Sequence, residues 1–281
     1  MALKRFDPSK FTANTAKPLP VMLLLDVSAS MGEVLDGTYA RTGRTVYEDG
    51  QKWELVKGGR TRIDVLNEAV REMLASFARE EQLEHEFLVS VITFGGSALV
   101  HLPPTKASKV EWKPLTVAGE TPLGEAIALA KKLIEDKETT PSRAFRPVVI
   151  LVSDGRPDAG WEAPLEAFVA SGRSMKCDRI ALSIAEGTDE QVLRRFIAGT
   201  PNPLFRATDA GQILETFRRV TMSVTLRSKS KDPNQAPAIE SVVAASPPAQ
   251  TQPPAQAPAQ AQPPPPAAPP RPVGDPDDGY W

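Results

Sequence analysis

Val21-Met22-Leu23-Leu24-Leu25-Asp26-Val27-Ser28-Ala29-Ser30-Met31-Gly32 decides how this chain is read. Five apolar residues in succession leave no polar face, the pattern of a central parallel strand covered on both sides. Directly beyond them, Asp26, Ser28 and Ser30 set three small oxygen ligands at alternate positions. Hard cations such as Mg2+ take near-octahedral oxygen coordination and give up water reluctantly, so carboxylate and hydroxyl oxygens at a strand end suit them. The short pattern has a plainer reading as well: an Asx-type turn in which the side chains only satisfy backbone amides.

Three more apolar runs follow the same rule: Phe87 to Phe94, Val148 to Val152, and Arg179 to Ile184. Between them lie helical periodicities. Ile63, Leu66, Ala69, Val70, Met73, Leu74 and Phe77 recur at spacings of three and four and form one apolar face. Leu123, Ile127, Ala130, Leu133 and Ile134 repeat the pattern, as do shorter sets around Leu165, Val192 and Ile213. Strands alternating with helices, joined by right-handed crossovers, predict an α/β fold: a doubly wound, mostly parallel sheet with helices on both faces. Ala98 to Leu102, after the Gly95-Gly96 turn, reads as one short antiparallel edge strand. In such a sheet, Thr121 on the loop before one helix and Asp154 after the strand ending at Val152 return to the edge that carries Asp26.

These residues together resemble the von Willebrand factor A family, whose metal-ion-dependent adhesion site reads DxSxS, then a Thr, then an Asp. Asp26, Ser28, Ser30, Thr121 and Asp154 fill every position in order. The resemblance implies a Rossmann-like fold and a site for Mg2+, with Mn2+ as the substitute ion. It implies that both serines ligate directly, that one aspartate acts directly or through water, and that Thr121 joins when a ligand is bound. A protein partner would offer an acidic side chain to the metal, in a module that is not itself an enzyme. The similarity extends to the intracellular bacterial branch of tellurite-resistance TerY-type proteins. That branch implies a protein kinase and a PP2C-like phosphatase as partners in a stress or metal-resistance complex. Two other classes stay open, an adaptor subunit for an AAA+ ATPase and a Mg2+-dependent hydrolase, since metal activation of water requires no distinctive side chain.

Several chemistries lack their residues. There is no GxxxxGK[ST] phosphate loop and no G-x-S-x-G elbow, and a phosphotransferase of the haloacid-dehalogenase type would carry aspartate where Ser28 stands. His85 and His101 have no paired nucleophile motif and read as surface and edge-strand residues. The whole chain carries a net charge of −2 over 281 residues, which makes no electrostatic case for nucleic acid. No stretch approaches the roughly 20 apolar residues of a membrane span, and the opening residues lack the apolar core of a secretory signal, so a cytoplasmic location is expected. Cys177 is the single cysteine and reads as a half-buried, unreactive thiol.

The expected organisation is an N-terminal extension over 1–17, the A domain over 18–228, and an Ala/Gln/Pro-rich, disordered tail over 229–281. Residues 33–60 exceed the usual strand-to-helix loop of about 2 to 6 residues and predict an insertion beside the metal site. Within it, Thr45 to Val56 reads as a β-hairpin turning at Asp49-Gly50. In the tail, Pro263 to Pro266 favours polyproline II, and the acidic end closing on Tyr280-Trp281 is a candidate docking peptide for a second partner.

Overall fold

A computed structural model describes residues 17–48, 51–81 and 85–234. Most of the N-terminal extension, the Asp49-Gly50 turn and the chain from residue 235 onward, with its proline run and its terminal Tyr280 and Trp281, lie outside the described residues.

Strand β1 (Leu19–Asp26) is buried at all eight positions. Its side chains alternate between two cores, as the period of two for a strand demands. Leu19, Val21, Leu23 and Leu25 pack into one core with helix α1 (Arg62–Glu81) and helix α5 (Ala210–Lys229). Met22 and Leu24 pack into the other, with α2 (Leu123–Glu135), α3 (Glu162–Ala170) and α4 (Glu190–Ile197). An apolar run thus has two dry faces to fill, and the chain supplies helices for both.

Among the described residues the main sheet has six strands. On one side of β1 lie β4 (Phe87–Gly95) and then β5 (Ser97–Lys106); on the other lie β6 (Val148–Ser153), β7 (Asp178–Ser183) and β8 (Leu204–Arg206). All neighbours are parallel except β5, which runs antiparallel to β4 along one edge. The mostly parallel, doubly wound sheet is therefore present as expected, as is its antiparallel edge strand. That strand is longer than Ala98 to Leu102 and continues through Pro103 and Pro104, which are tolerated because an edge strand leaves one row of backbone donors unpaired. The three-residue β8 was not anticipated, being too short for periodicity to announce.

From β1 the chain passes to β4 on one side, and from β6 to β7 on the other. The order reverses between β1 and β6, and loops leaving the carboxyl ends of these neighbours diverge there and leave a crevice.

Residues between β1 and α1 form a separate two-stranded sheet. β2 (Val34–Glu48) and β3 (Gln51–Thr61) run antiparallel from Val34 opposite Thr61 outward, with register shifts along the ribbon. The ribbon is longer than the hairpin predicted over Thr45 to Val56, and it exposes Tyr39, Val46, Tyr47 and Leu55. At its base a reciprocal cap starts α1: Thr61 N donates to Asp64 Oδ2 at 2.9 Å and Asp64 N donates to Thr61 Oγ1 at 3.3 Å.

Helix α5 ends at Lys229, but the chain stays attached beyond it. Arg227 donates from Nε to Pro233 O at 2.5 Å, and Arg146 N donates to Asn234 Oδ1 at 2.8 Å. Among the described residues, no helix is long and apolar enough to cross a membrane.

Candidate metal centre

The site grows from the end of β1. Asp26 is fully buried, and its two carboxylate oxygens are spoken for separately. Oδ1 accepts from Ser28 N at 3.0 Å, which is the Asx-type turn that the sequence pattern allowed. Oδ2 accepts from Ser153 Oγ at 2.6 Å, across from β1 to the end of the neighbouring β6. The turn therefore does not use up the aspartate; it aims it.

Ser28 and Ser30 face one another, with 3.2 Å between their hydroxyl oxygens. Ser30 Oγ donates to Asp154 Oδ1 at 2.7 Å. Asp154 stands just past β6, so the two diverging loops at the switch point are joined by a run of side-chain oxygens. A short 3-10 turn over Ala29–Gly32 shapes the first loop and buries Met31 beneath it.

Thr121 enters through the backbone. Ala29 N donates to Gly119 O at 2.9 Å, Ala118 N to Val27 O at 2.7 Å, and Gly96 N to Glu120 O at 3.0 Å. This straps the loop before α2 onto the loop after β1, and it requires Gly95. A Cβ there would lie 2.3 Å from Ala118 O and 2.6 Å from Val27 Cγ2. Thr121 is buried, and its carbonyl accepts from Leu123 N and from Asp158 N, the latter tying it to the loop after Asp154.

Burial sets the electrostatics. It pushes the Asp26 carboxyl up to about 7, with the charge of Asp154 adding to the rise and hydrogen bonds from Ser153 and Ser28 opposing it. Asp154 is also held above its ordinary value, first by burial, while the Ser30 hydrogen bond and the Arg62 guanidinium pull it back. Two desolvated carboxyls among neutral hydroxyls form a hard-oxygen donor set of the kind a divalent cation satisfies. Among the described residues no group of three or more His, Cys, Asp and Glu gathers, and the side-chain oxygens linked here come from two aspartates and three serines.

Two residues at the site went unread in the sequence. Ser153 closes the buried apolar strand β6 just before Asp154, and a serine in that place was the available signal. Arg62 gave none. Its Nη1 donates to Glu33 Oε2 at 2.6 Å and to Ser30 O at 3.0 Å, and lies 3.4 Å from Asp154 Oδ2. Glu33 pairs with Arg62 and Asp36 with Arg60 at 3.3 Å, both carboxylates staying exposed to solvent. His101 sits on β5 with Nε2 2.8 Å from Lys113 O and its ring against Trp112. Cys177 is 3% exposed, more deeply buried than expected, and burial pushes its thiol up to about 12.

Comparison with known proteins bears on the same stretch. The family profile of the von Willebrand factor type A domain matches residues 21–156. No curated protein matches the sequence significantly. Among solved structures, proximal thread matrix protein 1 from the mussel byssus is 13% identical with a TM-score of 0.51, covering 74% of this chain and 48% of its own. A von Willebrand factor type A protein from Catenulispora acidiphila is 17% identical with a TM-score of 0.51, covering 74% of this chain and 42% of its own. The ArnB paralog VWA2 from Sulfolobus acidocaldarius is 12% identical with a TM-score of 0.50, covering 73% and 45%. The chain thus spans less than half the length of each, and at these identities the likeness is one of fold. The segment that carries Asp26, Ser28, Ser30, Thr121 and Asp154 is the segment matched by the von Willebrand factor type A domain family, on a fold shared with these structures.

Proposed function

We propose that this chain is a metal-dependent protein-interaction module of the von Willebrand factor type A kind, with Asp26, Ser28, Ser30, Thr121 and Asp154 holding Mg2+, or Mn2+ in its place. The observation that carries this reading is the linked set of side chains at the switch point, from Asp26 through Ser28 and Ser30 at the end of β1 to Asp154 past β6, with Ser153 of β6 bonded back to Asp26. When bound, the ion supplies a Lewis-acidic position that a partner's carboxylate completes.

The chain's own residues do the positioning. Ser153 and the Ser28 amide hold the Asp26 carboxylate from both sides, so it presents a fixed geometry without reorganisation. The two aspartates offset the charge of a dication, and the hydroxyls add ligands without adding charge, leaving the ion electrophilic. The strap through Gly119 ties the loop that carries Thr121 to the loop that carries Ser28 and Ser30. In this role the chain performs no chemistry of its own. For the partner we propose an acidic side chain on a protein, within an assembly like that of TerY-type proteins, with a protein kinase and a PP2C-like phosphatase. Service to an AAA+ ATPase is the rival.

Calorimetric titration of MgCl2 into wild type and Asp26→Ala tests the metal reading, with circular dichroism as the fold control. Binding by wild type alone is expected, and equal binding by both proteins would remove Asp26 from the site. For partner choice, a neighbouring kinase and phosphatase in the genome supports the first assembly and a neighbouring AAA+ ATPase the second.

A further inference from the structure

Among the described residues, Arg62 is the cation in contact with Asp154, and nothing in the motif calls for it. It stands at the junction where β3 ends and α1 begins, and its backbone N donates to Glu33 O at 3.1 Å. Glu33 is the last residue before β2, so this pair closes the base of the ribbon. The Arg62 side chain is 16% exposed and that of Asp154 fully buried, so the 3.4 Å approach between them is poorly screened. Its contact with Glu33 is shorter, at 2.6 Å, and Glu33 is 44% exposed on the outer side. Nε of Arg62 is buried without a hydrogen-bond partner, so the guanidinium is only partly satisfied where it stands. A positive group held at this place repels a second cation approaching the same carboxylate.

We propose that Arg62 is a built-in counter-cation to Asp154 that holds down the metal affinity of the site, and that Glu33 restrains it by drawing its charge outward. This rests on the metal-binding reading above. The arrangement lets the protein keep Asp154 buried when no metal is bound, and it makes metal affinity depend on two residues at the root of the ribbon.

The test is calorimetric titration of MgCl2 into the full chain as wild type, Arg62→Met, Arg62→Lys and Glu33→Gln, with Asp26→Ala as the reference. Removing a unit positive charge beside a buried dication site is expected to tighten Mg2+ binding about tenfold or more in Arg62→Met. Arg62→Lys, which keeps the charge, should stay close to wild type. Glu33→Gln leaves the guanidinium uncompensated beside Asp154 and should weaken binding several-fold. If Arg62 only props up Asp154, Arg62→Met binds Mg2+ more weakly or unchanged, and the proposal is overturned. A Lys variant as tight as Arg62→Met would overturn it too, since shape rather than charge would then be at work. Should Arg62→Met fail to fold by circular dichroism, the partly exposed Glu33→Gln decides: unchanged or tighter binding refutes the role. Wild type that binds no Mg2+, or Asp26→Ala that binds equally well, overturns the metal reading and this inference with it. An Asp26-dependent wild type whose affinity ignores Arg62 overturns this inference alone.

Discussion

Replacing Asp26 with asparagine should stabilise the metal-free protein while abolishing its response to Mg2+. Burial and the charge of Asp154 raise the Asp26 carboxyl from 3.8 to about 7. A raised folded-state value means that this group's contribution to stability is fully present below about 3.8 and is lost as pH rises through about 7. At about 1.4 kcal/mol per unit, ionised Asp26 costs the fold about 4 kcal/mol above that window. Asparagine carries no charge and so avoids the loss. It can keep the turn by accepting from Ser28 N through its own oxygen, while its amide faces Ser153 Oγ, which must then accept instead of donate. The hydrogen bonds from Ser153 and Ser28 already oppose the rise to about 7, so the cost of about 4 kcal/mol is net of them and sets the upper bound on the gain. Urea denaturation followed by circular dichroism, in EDTA at about pH 8, measures it. Added Mg2+ at about 100 times its Kd should then stabilise wild type by about 2.7 kcal/mol and Asp26→Asn by nothing. An Asp26→Asn protein less stable than wild type in EDTA would show that the buried carboxylates are not in electrostatic conflict, and the case for a cation between them would collapse.

Gly95→Ala drives a methyl into Ala118 O and Val27 and should cost about 3 kcal/mol or more, with weaker Mg2+ binding because the strap to Thr121 shifts; an unchanged melting temperature would refute the close packing. Native Cys177 should react with iodoacetamide at about pH 8 on the order of a thousandfold more slowly than a free thiol, and freely in urea; comparable rates in both would contradict its burial and its raised value of about 12. Truncation after Ser228 removes the Pro233 carbonyl from buried Arg227 and the Asn234 acceptor from Arg146, so it should cost about 1 to 3 kcal/mol by urea titration. Truncation after Asn234 keeps both contacts, and equal stability of the two truncated proteins would rule out anchoring by 229–234.

Much of the fold could be read residue by residue. Val21 to Leu25 announced a strand covered on both faces because uninterrupted apolar side chains exclude a wet one, and Ile63 to Phe77 announced α1 because spacings of three and four stack on one helix face. The Asp26-x-Ser28-x-Ser30 spacing was likewise local, and with Thr121 and Asp154 it marked the candidate ligands before any coordinates did. Periodicity reports the environment of an element but not its partner. That Ser153 would donate to Asp26 from 127 positions away depends on β6 lying beside β1, and the approach of Arg62 to Asp154 across 92 positions depends on where the ribbon returns the chain. The same holds for Arg227, which stands in the basic run Arg227-Ser228-Lys229 at a helix end but whose guanidinium is buried against Asp178, Arg146 and Pro233. Local sequence determined the elements and the chemical types at the crevice, since backbone preference and side-chain period act over a few residues. Only the tertiary structure decided which charges face one another there, because strand order and burial, which set distance and dielectric, arise from the whole chain at once.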